Sequence, residues 1–270
     1  MFADQLLARE PLIRSLCFFG ILAIMALWEG LAPRRPLLVT KPLRWGSNLG
    51  LVVLNTVLLR AIFPLAAVGF AELATAQGWG LLNIVHLPHW LAMTLAIIAL
   101  DLVIYGQHVL FHHLPLLWRL HKVHHVDRDF DVTTGLRFHP LEIFLSMGIK
   151  IGAIALLGAP PVAVLIFEVL LNATAMFNHG NVCLPPWLDR PLRWMIVTPD
   201  MHRVHHSVIP EETNSNYGFN LPWWDYLFNT YRAAPAQGYE GMTIGLEAYQ
   251  TTLQVAQLPW MLLLPFRRWG

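Results

Sequence analysis

Long apolar runs separated by polar, histidine-rich segments are the dominant pattern of this chain. A helix that crosses the hydrocarbon needs about 20 apolar residues, because it rises about 1.5 Å per residue and must close its own hydrogen bonds. Three stretches meet that length: residues 15–32, 48–70 and 84–106. The N-terminus carries Asp4, Arg9, Glu10 and Arg14 and lacks an A-x-A site, so the first run reads as a retained span rather than a cleaved signal peptide. A fourth run, residues 143–177, would measure about 52 Å as one helix, too long for a single crossing. Gly158-Ala159-Pro160-Pro161 interrupts it midway. The proline pair cannot continue a helix, so the pattern predicts a helical hairpin with this turn at its tip, either spanning completely or re-entrant. The predicted fold class is all-α: a polytopic membrane helical bundle of three spans plus a helical hairpin, with a cytoplasmic histidine-rich cap. Its regions are N-terminal spans (1–107), a histidine-rich region containing the hairpin (108–252) and a C-terminal segment (253–270). The last is too short to span; Trp260 with Arg267 and Arg268 suits a helix lying in the interface, and a simple docked helix is an equal reading.

Orientation follows from basic residues. The segment between the first two spans holds Arg34, Arg35, Lys41 and Arg44 with no acid among them, which predicts a cytoplasmic location. Both later polar segments then lie on the same side, and Arg119, Lys122, Arg128, Arg137, Arg190, Arg193, Arg203 and Arg232 agree.

Composition sharpens the class. Hydrophobic residues are 56% and charged residues 13%, and mean hydropathy is +0.49, outside the range of ordinary soluble globules. A net charge of +1 argues against nucleic acid as a partner. Cys17 and Cys183 are distant and form no disulfide framework or cysteine zinc motif. The thirteen histidines are the anomaly. His86 and His89 fall on the outer side in this topology. The other eleven are cytoplasmic and arrive as His108-x-x-x-His112-His113, His121-x-x-His124-His125, His139, His179 and His202-x-x-His205-His206.

On a helix, His108 and His112 lie one turn apart on one face. In each HxxHH the three rings fan over about 100°, an arc wide enough to serve two ions. Eight or more neutral imidazoles packed without metal would leave many polar nitrogens unpaired, and protonated ones would repel. His113 and His139 stand outside these patterns and are expected to be supporting or structural. Imidazole suits zinc, copper, iron or nickel, no thiolate is near, and HExxH is absent. The histidines are too many for one tetrahedral ion, which predicts two. They share a site only if residues 143–177 form the hairpin, since one crossing would put His179 and the second HxxHH across the membrane from His108–His125.

His108–His112, His121–His125 and His202–His206 resemble the three histidine boxes of the membrane fatty acid hydroxylase and sterol desaturase superfamily. The segments LHKVHH (120–125), FHPLE (138–142), NHGN (178–181) and NSNYGFNLPWWDYLFNTY (214–231) read like it too, so the likeness covers roughly residues 95–235. The resemblance implies a di-iron centre that uses O2 and two electrons to hydroxylate or desaturate an unactivated C–H bond of a membrane lipid. It implies as ligands His108, His112, His121, His124, His125, His202, His205 and His206, with His179 as a ninth. Members acting on ceramide acyl chains carry a further histidine one turn earlier, where this chain has Ala175; Asn172, Asn178, water or His139 are the alternatives for a tenth ligand. Electrons are expected from a separate redox protein or soluble reductant.

Among supporting residues, Asp101 lies seven before His108 on the same helical face and is expected to accept an imidazole N–H. Asp200 and Asn178 flank other boxes and are further supporting candidates, and Glu168, Asn172 and His179 recur at helical offsets. Arg60, Lys150 and Glu29 have no partner assignable from sequence. Asp127, Asp129 and Asp131 read as a solvated face, and Trp118, Phe138, Trp223 and Trp224 as wall or interfacial residues. The rival enzyme readings are a desaturase of sterols or other polycyclic lipids and an ether-lipid monooxygenase. A metal transporter or sensor is the non-enzyme rival, and would line the membrane path with histidines.

Overall fold

In the computed structural model, which describes residues 2–267, every apolar run becomes helical and no β-strand forms among those residues. The helices are α1 (Phe2–Ala8), α2 (Glu10–Leu31), α3 (Lys41–Ile62), α4 (Ala66–Ala76), α5 (Leu81–Ile84), α6 (His89–His113), α7 (Pro115–His125), α8 (Pro140–Leu157) and α9 (Pro161–Asn178). Six shorter ones follow: α10 (Pro186–Leu192), α11 (Pro199–His205), α12 (Pro210–Thr213), α13 (Trp223–Leu227), α14 (Gly238–Gly241) and α15 (Leu258–Leu263). Among the described residues, five helical stretches are long and apolar enough to cross a bilayer: Glu10–Leu31, Lys41–Ile84, His89–His113, Pro140–Leu157 and Pro161–Asn178. Along α2, Leu12, Leu16, Phe19, Leu27 and Leu31 form an exposed stripe about 28 Å long, which only hydrocarbon satisfies. The chain is an integral membrane protein.

The hairpin forms as the sequence predicts. Gly158 caps α8 in the left-handed region (φ 66°), and Pro161 opens α9 after Pro160. Each arm has 18 residues, about 27 Å, close to the roughly 30 Å of hydrocarbon. Ala67 and Ala71 of α4, Ala96 and Leu100 of α6, and Ile154, Ala163 and Phe167 of the hairpin share one buried cluster. The alanines let these helices approach closely.

The second span differs from the predicted 48–70. Phe63-Pro64-Leu65 ends α3, since Pro64 cannot donate the next helical hydrogen bond. The first half of α3 lies against the cap, with Arg44, Ser47 and Asn48 buried and Asn55 Nδ2 donating to Phe138 O at 2.9 Å. Its second half and α4 continue to the hairpin tip. There a Cβ on Gly80 (φ 88°) would fall on the backbone of Gly158. Hydropathy alone did not separate a cap-facing half helix from a lipid-facing one.

α2 runs parallel to α9. Arg14 pairs with Glu168 partway along, and Glu29 accepts from Asn181 N (2.8 Å) and Val132 N (2.7 Å) at the far end. The N-terminus and the histidines therefore lie at opposite ends of the bundle. Lys150 finds its partner in Glu168 at 2.5 Å. Glu168 thus belongs to a buried ion-pair network within the bundle, not to the histidines.

One expectation for the cap is corrected. Asp127, Asp129 and Asp131 are buried, because Arg44 inserts among them. Arg44 donates to Asp127 at 3.0 and 2.8 Å and to Asp131 at 2.5 Å. Burial alone would raise the Asp127 carboxyl, but the charges of Arg44 and Arg137 outweigh it and hold it at about 2. Of the two readings of the C-terminal segment, docking holds: Trp260 is buried in a cluster with Leu51, Val123, Val126 and Met261. The C-terminal segment docks on α3 and α7, and Arg137 donates to Val255 O. Arg268 lies outside the described residues.

Candidate metal centre

α6 ends with His108 and His112 on one face. The Leu114-Pro115 turn then folds α7 back so that His121 and His125 meet them, while His124 turns towards His179 and His206. His179 caps α9. Thr198 caps α11 by accepting from Met201 N (3.4 Å), and this short helix delivers His202, His205 and its own C-cap His206. Nine buried histidines assemble as two groups. In one, ring nitrogens of His108, His112, His121, His125 and His205 lie within 4.8 Å of one another; in the other, those of His124, His179, His202 and His206 do.

Each HxxHH is split between the groups, as the 100° fan allows. α7 gives its i and i+4 rings (His121, His125) to the group of five and its i+3 ring (His124) to the group of four. α11 does the reverse, giving His202 and His206 to the four and His205 to the five.

Five of the nine Nδ1 atoms face acceptors, while those of His124, His125, His202 and His206 have no hydrogen-bond partner among the described residues. His108 Nδ1 donates to Tyr217 O (2.8 Å), His179 Nδ1 to Ala175 O (2.8 Å), His205 Nδ1 to Ser215 O (2.7 Å) and His121 Nδ1 to Glu142 Oε1 (2.7 Å). His112 Nδ1 faces Asn214 Oδ1 at 3.3 Å. These contacts fix the tautomer and turn Nε2 inward. There His179 Nε2 sits 3.1 Å from Nε2 of both His124 and His202, and His108 Nε2 sits 3.1 Å from that of His121. Nε2 of His112, His125, His205 and His206 has no hydrogen-bond partner among the described residues. Converging lone pairs and orphaned buried nitrogens fit metal cations and little else.

Burial pushes the imidazoles outside the spans below their ordinary value, and neighbouring imidazoles add to this in His124, His125, His202, His205 and His206. His121 and His179 fall to about 3. All are neutral near pH 7, the form that binds metal.

The remaining sequence candidates lie apart. His139 is the N-cap of α8, its Nδ1 accepting from Leu141 N (3.2 Å) and its Nε2 donating to Leu262 O (3.3 Å). His113 is exposed beside the Tyr217 hydroxyl. Asp101 does not touch His108, because seven residues along a helix is a rise of about 10 Å, beyond a carboxylate's reach. It accepts instead from Asn220 Nδ2 and Trp224 Nε1 (both 2.8 Å) and Leu221 N (3.3 Å), and so holds the loop whose Tyr217 carbonyl orients His108. Asp200 pairs with Arg203 (3.3 Å) and Arg34 (3.5 Å), and Asn178 donates to Phe219 O (3.0 Å); neither meets a histidine. Among the described residues, no further His, Cys, Asp or Glu joins either group, and Asn172 is exposed. At Ala175 the backbone is in use: its carbonyl holds His179, and a Cβ on Gly135 would strike it.

Sequence reasoning missed Glu142 and the carbonyls of Ser215 and Tyr217. Glu142 carried a usable signal, an acid at the head of an apolar helix, yet it lies one position outside the run read as hairpin. Asp225, fully buried, accepts from Tyr217 N and Gly218 N (both 2.8 Å) and shapes the carbonyl-bearing loop. Of the four predicted wall residues, Trp118 lies 5.0 Å from the His112 ring and Phe138 stacks on His124 at 4.6 Å. Trp223 and Trp224 bond Trp194 O and Asp101 instead.

The model of the fatty acid hydroxylase family matches residues 93–230, just over half of the chain and a span holding all nine clustered histidines. The chain belongs to the fatty acid hydroxylase family. It is 33% identical to an ornithine lipid hydroxylase of Rhizobium tropici over 149 residues, 55% of this chain and 44% of that protein. It is 26% identical to an alkylglycerol monooxygenase of Xenopus tropicalis over 232 residues, 82% of this chain and 49% of the relative. A very-long-chain aldehyde decarbonylase of Oryza sativa subsp. indica shares 28% over 162 residues, 54% and 25% of the two chains. The chain thus spans about half the length of the first two of these relatives. No solved structure matches it. Family membership agrees with the resemblance read from the histidine boxes. Proteins named as an ornithine lipid hydroxylase, an alkylglycerol monooxygenase and a very-long-chain aldehyde decarbonylase all match this chain, so the likeness marks the family without naming the substrate.

Proposed function

We propose that this chain is a membrane-bound, non-haem di-iron oxygenase that hydroxylates or desaturates a C–H bond of a lipid, using O2. The observation that carries the reading is the sorting of nine buried, neutral imidazoles into groups of five and four. His108, His112, His121, His125 and His205 would hold one iron, and His124, His179, His202 and His206 the other. When bound, the two ions supply O2 activation with two electrons, which no amino-acid side chain here supplies.

The chain's own residues do the rest. Glu142 and the carbonyls of Ala175, Ser215 and Tyr217 keep protons on Nδ1 and direct Nε2 inward. Phe138 and Trp118 cover the imidazoles and exclude water. The clustered histidines lie at one end of the apolar bundle, which supports a site at the membrane boundary that a lipid chain reaches laterally. Arg34, Arg35 and Lys41 lie at the site's end, which supports placing it on the cytoplasmic face. Electrons come from a separate donor, a redox protein or a soluble reductant.

An ether lipid is the second reading of the substrate, because the likeness to an alkylglycerol monooxygenase extends over 82% of this chain. Transport is disfavoured, since the clustered histidines sit at one end of the bundle and His86 and His89 are exposed. Comparative lipid mass spectrometry of cells with the gene, without it and with His124→Ala tests the proposal. A gain of one oxygen or loss of two hydrogens in one lipid class, only with the unaltered gene, supports it. Identical lipids in all three reject it.

A further inference from the structure

Beside the loop between α2 and α3, a concavity of about 380 Å³ opens among residues 35–38, 128–130 and 240–244. Arg35, Arg128 and Arg203 line it. Each keeps one buried nitrogen without a hydrogen-bond partner: Nη1 of Arg35, Nε of Arg128 and Nη1 of Arg203. Among the described residues, the Arg35 and Arg128 side chains form neither a hydrogen bond nor an ion pair. Arg203 is fully buried. Its Nε meets Asp200 at 3.3 Å and its Nη2 donates to Gly180 O (3.1 Å) and Val182 O (3.3 Å), which leaves Nη1 over.

The neighbouring acids are already matched. Asp129 accepts from Leu38 N (2.7 Å) and Val39 N (2.8 Å) and lies 3.8 Å from Arg44 Nε. Glu240 pairs with Arg34 at 2.5 Å. The half-buried, unpaired guanidiniums of Arg35 and Arg128, with the buried cation of Arg203 behind them, leave the cavity positive, and phosphate and carboxylate match their fork geometry. Position adds to this. Arg35 follows directly after the exposed apolar stripe of α2 ends at Leu31, at the level where headgroups meet water. Phe130, also in the lining, has Arg203 Cζ 4.8 Å from its ring, stacks on His179 at 5.4 Å and meets His206 edge-on at 5.0 Å. An occupant therefore lies one aromatic ring from the histidine group of four.

We propose that this concavity is an anion site that takes a phosphate or carboxylate group, brought by a soluble molecule or by a lipid headgroup, with Arg35 and Arg128 as its accessible contacts. The proposal stands apart from the oxygenase reading, because neither iron nor turnover enters its test. The full chain is placed in nanodiscs of phosphatidylcholine, and inorganic phosphate is titrated calorimetrically at constant ionic strength. In a second arm, discs containing phosphatidic acid are exchanged against excess phosphatidylcholine, and native mass spectrometry counts the phosphatidic acid retained. The double variant R35Q/R128Q runs beside the wild type, its unfolding midpoint without added phosphate reporting that it folds; R35Q alone, altered only in a loop, is the second comparison.

Saturable binding in one arm is expected, weakened roughly tenfold or more in the double variant, the scale of losing charge-assisted hydrogen bonds. Saturation by inorganic phosphate assigns the soluble source, and retained phosphatidic acid assigns the lipid. Absence of saturable binding in both arms, or equal binding by wild type and variants, overturns the site.

Discussion

The imidazoles of His125 and His206 stack at 4.5 Å with 17° between their planes. One belongs to the group of five and the other to the group of four, so this stack joins the two halves of the centre, as does that of His202 on His205 at 5.0 Å. Each is the last histidine of an HxxHH, and each joins the group that takes the first histidine of its own motif. Two helices from distant parts of the chain thus supply the same three offsets in opposite senses.

Glu142 is expected to tune the centre through His121. Glu142→Ala removes the acceptor of the His121 Nδ1–H bond and should lower iron affinity or turnover roughly 10- to 100-fold. Glu142→Gln keeps an acceptor oxygen and should retain more of both. Metal titration of the two variants checks this; indistinguishable behaviour of both from wild type would remove the role.

Asp101 should act at one remove. Asp101→Ala leaves Asn220, Trp224 and Leu221 without their common acceptor and loosens the loop bearing Tyr217. Turnover should fall while the helices stay inserted, and amide exchange should rise in residues 214–225. If exchange there is unchanged while turnover falls, the loop is not the route.

Arg44 organises the cap. Arg44→Met leaves Asp127, Asp129 and Asp131 buried without their shared cation, at a cost of about 3–5 kcal/mol. A large drop in the thermal unfolding midpoint is expected, with Arg44→Lys recovering part of it. A midpoint unchanged in Arg44→Met would show that the cluster does not hold the cap.

Much of this was legible in the sequence, and the failures share a cause. The hairpin was readable because Gly158 and Pro160-Pro161 act locally, and the fan of each HxxHH because helical offsets are local too, although which ring joins which group was not. Arg44 among the aspartates, Glu142 on His121 and the Tyr217 carbonyl on His108 were not, since each joins positions at least 21 residues apart in sequence. Asp101 shows the limit of face periodicity: it gave the right face, while the rise along the axis decided the partner. The second span failed because burial against the cap and burial in lipid have the same hydropathy.

Sidedness is open to labelling. In a background with Cys17 and Cys183 replaced by serine, a cysteine at exposed Leu38 should react only when the cytoplasmic face is accessible. One at exposed Trp90, at the opposite end, should react from outside the cell. The reverse pattern would invert the orientation.

The measurement that bears most directly on the central claim is the iron content of the purified chain, wild type beside His205→Ala and His202→Ala. The account predicts close to two irons per chain in the wild type. Each variant should fall towards one, His205→Ala by weakening the group of five and His202→Ala by weakening the group of four. A single iron per chain at saturation, or loss of both ions together with no intermediate in either variant, would contradict two separately ligated ions.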